Sequence, residues 1–479
     1  MRRTRKTRML RRAMFVALLA GLVAAGPVTG ATASIPERMN GSGERRSYAG
    51  SIDGAEYRVE VPENWNGTLV LFSHGYYVEG VFDPDQVALS VRPETESWLL
   101  DHGYALAGSD YKNPFGYAVA DAQRDQIALL DWFEENVGRP TRTVTSGMSQ
   151  GGVISTVLAE RNPHRFDGVA TNCAEYDTPG SWNTALDVGF VVKTLLAPGE
   201  DIDLVRADDP QGSTERLLAA AQRARQSAEG RARLALAGAV GNLPTWFSAH
   251  DPEPTELARR LEQQAAWVEG QLGGLGPIGR VDLEARTGGN PSWNVGVDYR
   301  RLLAKSAYRE TVEAAYREAG LDGSDLEQDL RQLDRAPKIA PDADAVAFMF
   351  RHGLSRGHTP VPVITMHNTG DGGAIVDQER WYAEQVQRYG DPGKLRQLYV
   401  DRGMHCAFSA GDEIVQLRTL LDRVRTGRWP DTSPPALNAA VAELGPDYQL
   451  VLDIITGQDR AAPPAFTRFT PPRFLRPSR

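Results

Sequence analysis

The apolar positions of this chain follow two rhythms. Between Tyr57 and Asn172, short runs of consecutive aliphatic and β-branched residues alternate with stretches where apolar residues recur every three or four positions. The first kind reads as buried strand and the second as amphipathic helix, so their alternation predicts βαβ units around a mostly parallel sheet. Gly67 to Ser73 and Tyr104 to Gly108 are predicted strands. Gln123 to Val137 is a predicted helix, stopped by Gly138 and Pro140. Thr141 to Ser146, Val153 to Arg161 and Phe166 to Thr171 then read as strand, helix and strand.

From about Glu175 to Asp344 the texture shifts to Arg, Glu, Ala and Leu at helical spacing, with helices predicted at Thr214 to Ala237, Thr255 to Leu272 and Tyr299 to Ala319. Their charged residues read as solvated helix faces. Trp246, Trp267 and Trp293 in this stretch read as core rather than pocket residues. Sheet grammar then returns with strand Val361 to Met366, helix Gln378 to Tyr389, strand Leu395 to Val400 and helix Asp412 to Arg425. The expected fold class is therefore α/β, a mostly parallel central sheet with helices on both faces and a large helical insertion. The expected division is a first core half at 34–174, a helical cap or lid at 175–345, a second core half at 346–430 and a tail at 431–479. Proline enrichment from Ala461 onward makes that tail a surface wrap or a disordered end.

Composition changes this picture mainly at the start of the chain. The 479 residues have an ordinary globular makeup, but Arg2, Arg3, Arg5, Lys6, Arg8, Arg11 and Arg12 precede an apolar run from Ala13 to Ala25 and a small-x-small site at Ala31-Thr32-Ala33. That layout predicts an export signal over 1–33, too short and too interrupted by Gly26-Pro27 for a membrane anchor, and hence a secreted mature protein. Arg11-Arg12 also hints at twin-arginine export. Loss of those seven basic residues takes the formal charge from -9 to -16. The acidic balance argues against nucleic acid as a partner and favours solubility.

The candidate chemistry centres on Gly147-Met148-Ser149-Gln150-Gly151, a G-x-S-x-G run between a predicted strand and a helix beginning near Gly152. In that setting the serine sits on a sharp turn with its hydroxyl projecting beyond the sheet edge. Serine needs a base, and His405 lies on a loop just after the last strongly extended run, where reactive groups collect in open α/β sheets. The carboxylate that orients such a base is expected on a post-strand loop, and Asp371 meets this. Asp377 reads as the N-cap of the following helix, and Asp401 lies too close in sequence to reach the His405 ring. The oxyanion donors expected are the amides of Gln150 and of Tyr76, with Tyr77 as the alternative. His74, beside Tyr76, reads as a structural brace. His352 and His358 lack a recognised metal-ligand spacing, and Gly270 to Gly279 lacks the context of a phosphate loop, so neither a metal nor another cofactor is expected.

The order Ser149, Asp371, His405, with His74-Gly75 upstream, resembles the α/β-hydrolase superfamily over roughly Tyr57 to Asn172 and Pro360 to Gly427. The resemblance implies that the helical insertion is a substrate-selecting cap. Gly403-Met404-His405-Cys406 is similar to the Gly-His-Cys region of tannase and feruloyl-esterase types, in which a cysteine beside the histidine pairs with one beside the serine. Here Met404 intervenes and Met148 stands where that cysteine would be, so the pairing moves to Cys173, the only other cysteine. The expected activity is cleavage of a small-molecule carboxylic ester through an acyl-enzyme. The alternatives are a serine peptidase of prolyl-oligopeptidase or aminopeptidase type, an acyltransferase, and a catalytically silent binding protein on the same scaffold.

Overall fold

The computed structural model describes residues 45–79, 86–453 and 456–479, so the expected export signal lies outside the described residues. The main strands are β1 (Arg46–Ile52), β2 (Ala55–Val61), β3 (Thr68–Ser73), β4 (Ala105–Tyr111), β5 (Arg142–Met148), β6 (Gly168–Asn172), β7 (Val363–Gly370) and β8 (Leu395–Gly403). The short strands β9 (Leu450–Asp453), β10 (Gln458–Ala461) and β11 (Phe466–Thr467) follow. One sheet runs in the order β1-β2-β4-β3-β5-β6-β7-β8-β11. Its middle, from β4 to β8, is parallel, while β1, β2 and β11 pair antiparallel at the edges.

Both faces of this sheet are covered, which is why its central strands read as continuous apolar runs rather than alternating ones. In β3 every residue is buried. Its alternate side chains feed opposite cores: Leu69 and Leu71 join one, Val70 and Phe72 the other. Helices Val119–Asn136, Gln150–Arg161 and Asp377–Tyr389 close the first face, and Pro93–Asp101 with Ala410–Thr426 the second.

Between β6 and β7 the chain is helical, in nine helices from Thr178–Leu196 to Ala343–His352. It shares the first core through Leu186, Leu217, Leu236 and Val268. Side chains also fasten it to loops at the carboxyl ends of the strands. Gln271 donates to the Gly372 carbonyl at 2.8 Å, Asp282 accepts from the Tyr117 amide at 2.7 Å, and Arg286 donates to the Phe115 carbonyl at 2.8 Å.

Several boundaries differ from the pattern reading, each for a local reason. The stretch predicted as one helix from Thr214 to Ala237 is two, Pro210–Ala224 and Ala228–Val240, because Ser227 turns out to cap the second by accepting from the Gly230 amide at 3.0 Å. Tyr299 to Ala319 likewise divides into Tyr299–Lys305 and Arg309–Glu318. Asn242 pulls the chain out of helix there, accepting from the Ser306 hydroxyl and the Ala307 amide, both at 2.9 Å. The hairpin of β1 and β2 turns on Asp53-Gly54, whose φ angles of 52° and 89° are those a two-residue loop of this hand requires. The proline-rich end is a wrap with anchors: β11 pairs with β8, Phe474 is buried, and the Ser478 amide donates to Asp177 at 2.7 Å.

Candidate active site

Strand β5 ends at Met148 and the next helix begins at Gln150, two residues earlier than the sequence suggests, leaving Ser149 alone in the turn. Its φ of 54° and ψ of -123° are strained for a residue with a side chain. The turn is held by the Ser149 amide donating to the Asn172 carbonyl at 2.8 Å. The flanking glycines are there for space. A Cβ on Gly147 would lie 2.1 Å from the Gly151 carbonyl oxygen, and one on Gly151 would lie 2.0 Å from that of Ser73. No side chain fits at either position without moving backbone.

Asp371 follows the last residue of β7, and His405 lies two residues beyond the end of β8. The fold brings all three side chains together. His405 Nε2 is 2.9 Å from Ser149 Oγ, and His405 Nδ1 is 2.8 Å from Asp371 Oδ2 and 3.0 Å from Oδ1. Asp371 is 1% exposed and accepts a further bond from the Gly373 amide at 2.8 Å. This fixes His405 with its proton on Nδ1 and a free acceptor on Nε2 facing the serine hydroxyl. Such a relay can draw the proton from Ser149 as its oxygen forms a bond to carbon.

The rival carboxylates are elsewhere. Asp401 is exposed and accepts from the Thr369 hydroxyl at 3.2 Å. Asp377 does not cap its helix with its side chain as expected; it is the first helical residue, buried, and accepts from Asn242 at 2.6 Å. Burial pushes its carboxyl up to about 7.

Gln150 opens its helix, so its amide has no acceptor within the helix and points with the positive end of the helix dipole. Tyr76 and Gln150 line the same cavity as Ser149. Tyr77 does not; its ring stacks on His74 at 3.9 Å. His74 braces that loop, sandwiched by Tyr77 and Tyr111 and bonded through Nδ1 to the Gly75 carbonyl at 2.8 Å. Burial pushes His74 down to about 4, so it is neutral.

Cys173 and Cys406 form a disulfide, with Cα atoms 5.4 Å apart, that ties the loop after β6 to the histidine loop. Met404 and Cys406, on either side of His405, both have positive φ, at 72° and 55°. The histidine is therefore presented on a tightly wound loop with a covalent stay.

Some site residues give no signal in the sequence. Glu175, Trp182 and Tyr117 line the cavity, as does Trp267, which is both a core residue and a wall. Burial pushes the Glu175 carboxyl up to about 7. Behind Asp371 lies His367, wholly buried in β7, with Glu379 beyond it. Burial alone would raise Asp371, but His405 and His367 outweigh it and hold the carboxyl below its ordinary value.

No family model matches the chain. It is similar to an o-phthalyl amidase from Xanthobacter agilis, at 30% identity over 420 residues that span 81% of this chain and 89% of that protein. Among solved structures, feruloyl esterase B from Aspergillus oryzae aligns with a TM-score of 0.36 and 12% identity over 81% of each chain. An acylaminoacyl peptidase from Pyrococcus horikoshii aligns with a TM-score of 0.32 and 11% identity, over 76% of this chain and 37% of that one.

Proposed function

Proceeding from the α/β-hydrolase superfamily, to which this chain belongs, we propose that it is a serine hydrolase cleaving carboxylic esters through Ser149, His405 and Asp371. The observation that carries the reading is the continuous hydrogen-bonded line from Ser149 Oγ to the buried Asp371 carboxylate. His405 takes the serine proton as Oγ attacks the acyl carbon. The resulting oxyanion is held by the Gln150 and Tyr76 amides. His405 then hands its proton to the leaving group, and water repeats the sequence to release the acid.

The cavity encloses about 80 Å³ and is walled by Tyr76, Tyr117, Trp182, Trp267 and Leu275. That volume suits a short or flat acyl group, since pockets for drug-sized ligands run to several hundred Å³. The helices after β6 supply most of these walls, and on this reading they act as the selecting cap. Export by an N-terminal signal belongs to the same proposal: the basic and apolar layout of the first 33 residues supports it, and a disulfide persists in an oxidising compartment. No helix among the described residues is long and apolar enough to cross a membrane.

A second reading, cleavage of an amide, is favoured by the similarity to the o-phthalyl amidase. The same groups serve, with more demand on His405 to protonate a poorer leaving group. Matched p-nitrophenyl esters and acyl p-nitroanilides, offered to the protein lacking residues 1–33, separate the two readings. Esters turned over faster, relative to their uncatalysed rates, support the first; faster anilides overturn it. A fluorophosphonate probe that labels wild type and Ser149→Ala alike would remove both.

A further inference from the structure

The catalytic reading leaves a buried charged group unused. His367 is 0% exposed and sits on β7, four residues before Asp371. Its Nε2 is 2.8 Å from the Ala374 carbonyl oxygen and 3.5 Å from Asp371 Oδ2, and its Nδ1 is 3.2 Å from Glu379 Oε1. Every polar atom facing the ring is thus an acceptor. A neutral imidazole carries one N–H, so one ring nitrogen would meet an acceptor lone pair to lone pair.

Glu379 is itself fully buried and accepts from the Thr365 hydroxyl at 2.6 Å, from the Tyr176 hydroxyl at 3.1 Å and from Gln397. Each of these partners donates to the carboxylate oxygens, so none of them offers His367 an acceptor in its place. Among the described residues no Arg or Lys forms an ion pair with either Glu379 or Asp371; their ion partners are His367 for both and His405 for Asp371. Two buried negative charges would otherwise share this corner of the sheet, a costly arrangement.

We propose that His367 is a positioning residue: a buried imidazolium, clamped by Glu379 and the Ala374 carbonyl, whose charge holds Asp371 ionised and aimed at His405. The proposal rests on the catalytic reading of Ser149, His405 and Asp371. The groups that face this cation are Asp371 from its own strand's end and Glu379 and Asp377 from the helix Asp377–Tyr389; Tyr176 approaches through Glu379, and His405 from the loop after β8 through Asp371. Burial drives the ring toward the neutral form, but Asp371 and Glu379 overcome it and carry His367 up to about 10.

Its effect on the reaction has a definite sign. A positive charge behind Asp371 partly offsets the carboxylate field felt by His405. Removing that charge strengthens the field and moves the acid limb of the pH profile upward. The test compares kcat, KM and the pH dependence of kcat/KM on a p-nitrophenyl ester for wild type, Ser149→Ala, His367→Gln and the double variant His367→Gln with Glu379→Gln. The double variant removes both charges together and leaves amide groups able to hydrogen-bond, so it spares the fold an unpaired carboxylate.

The expected result is a fall in kcat of roughly 10- to 100-fold at near-constant KM, with the acid limb raised by about one pH unit. An unmoved acid limb in folded His367→Gln, where the cation alone is lost, overturns the proposal. Should the variants not fold, ring nitrogen NMR of the wild type decides. Two N–H protons on His367 at pH 8 support the assignment, and a single one refutes it. Activity surviving in Ser149→Ala would instead bring down the catalytic reading itself, so the two failures are told apart.

Discussion

At the carboxyl edge of the sheet, Ser149, Asp371 and His405 each lie within two residues of a strand end, placed by the backbone ladders of β5, β7 and β8. The helical stretch above them contributes no group to the hydrogen-bonded line. It supplies walls, Trp182, Trp267 and Leu275 among them, fastened to the edge by a few side-chain bonds such as that from Gln271 to Gly372. On the proposed reading, atoms that must meet within tenths of an ångström sit on paired strands, and atoms that need only shape a cavity sit on helices that can repack. Substitutions at the edge should therefore act on kcat, and substitutions in the cover on which substrate is preferred.

The largest expected effect lies at the edge. Ser149→Ala should lower kcat on an activated ester by at least about 10⁴-fold, and Asp371→Asn, which keeps the shape but spoils the His405 tautomer, by about 10⁴-fold. Loss confined to KM in either variant would erase the distinction between the two regions.

Next comes the disulfide, the one covalent tie between edge loops. Replacing Cys173 and Cys406 by alanine should lower unfolding free energy by about 2–5 kcal/mol in a urea titration, and should lower kcat as well because the histidine loop is freed. An unchanged kcat would mean the winding around His405 suffices without the bridge.

A comparable stability loss is expected far from the chemistry. Arg476 of the tail pairs with buried Asp187 on the first helix of the cover. Arg476→Ala leaves that carboxylate buried with Tyr299 as its remaining hydrogen-bond partner among the described residues and should cost about 3 kcal/mol, with kcat in the folded protein unchanged. A matching fall in kcat would show that cover and edge are mechanically coupled.

The smallest effects belong to the cavity walls. Leu275→Ala and Glu175→Gln should alter the ranking of acyl groups by a few-fold, read as kcat/KM ratios, while fluorophosphonate labelling stays within about two-fold. Glu175 adds a pH signature. Its carboxyl ionises near 4.5 when unfolded but near 7 when folded, because burial disfavours the charge. Its burial is therefore free below pH 4.5 and costs progressively more up to pH 7. Glu175→Gln should gain stability over wild type across that window, read as the difference between urea titrations at pH 4.5 and pH 7.

The sequence was most legible where sterics leave few choices. Gly147 and Gly151 face carbonyl oxygens at distances that admit no side chain, so the motif and the turn are nearly the same fact. His405 and Asp371 were reachable because reactive loops follow strands in this architecture. Other features are set by partners distant in the chain. The break at Ser306 depends on Asn242, and helical periodicity runs through it undisturbed. His367 sits inside a strand, where one histidine carries no periodic signal, and its meaning comes from Glu379 on the next helix. Asp53-Gly54 was different: its turn chemistry is local, and apolar rhythm is blind to it.

The central claim is that Ser149 carries the acyl group between two proton transfers by His405. Intact-protein mass spectrometry with a slowly deacylated aryl ester, followed by peptide mapping, tests it most directly. The account predicts one acyl adduct per chain, located on Ser149 and lost in His405→Ala. An adduct on any other residue, or full turnover in Ser149→Ala with no adduct at all, contradicts it.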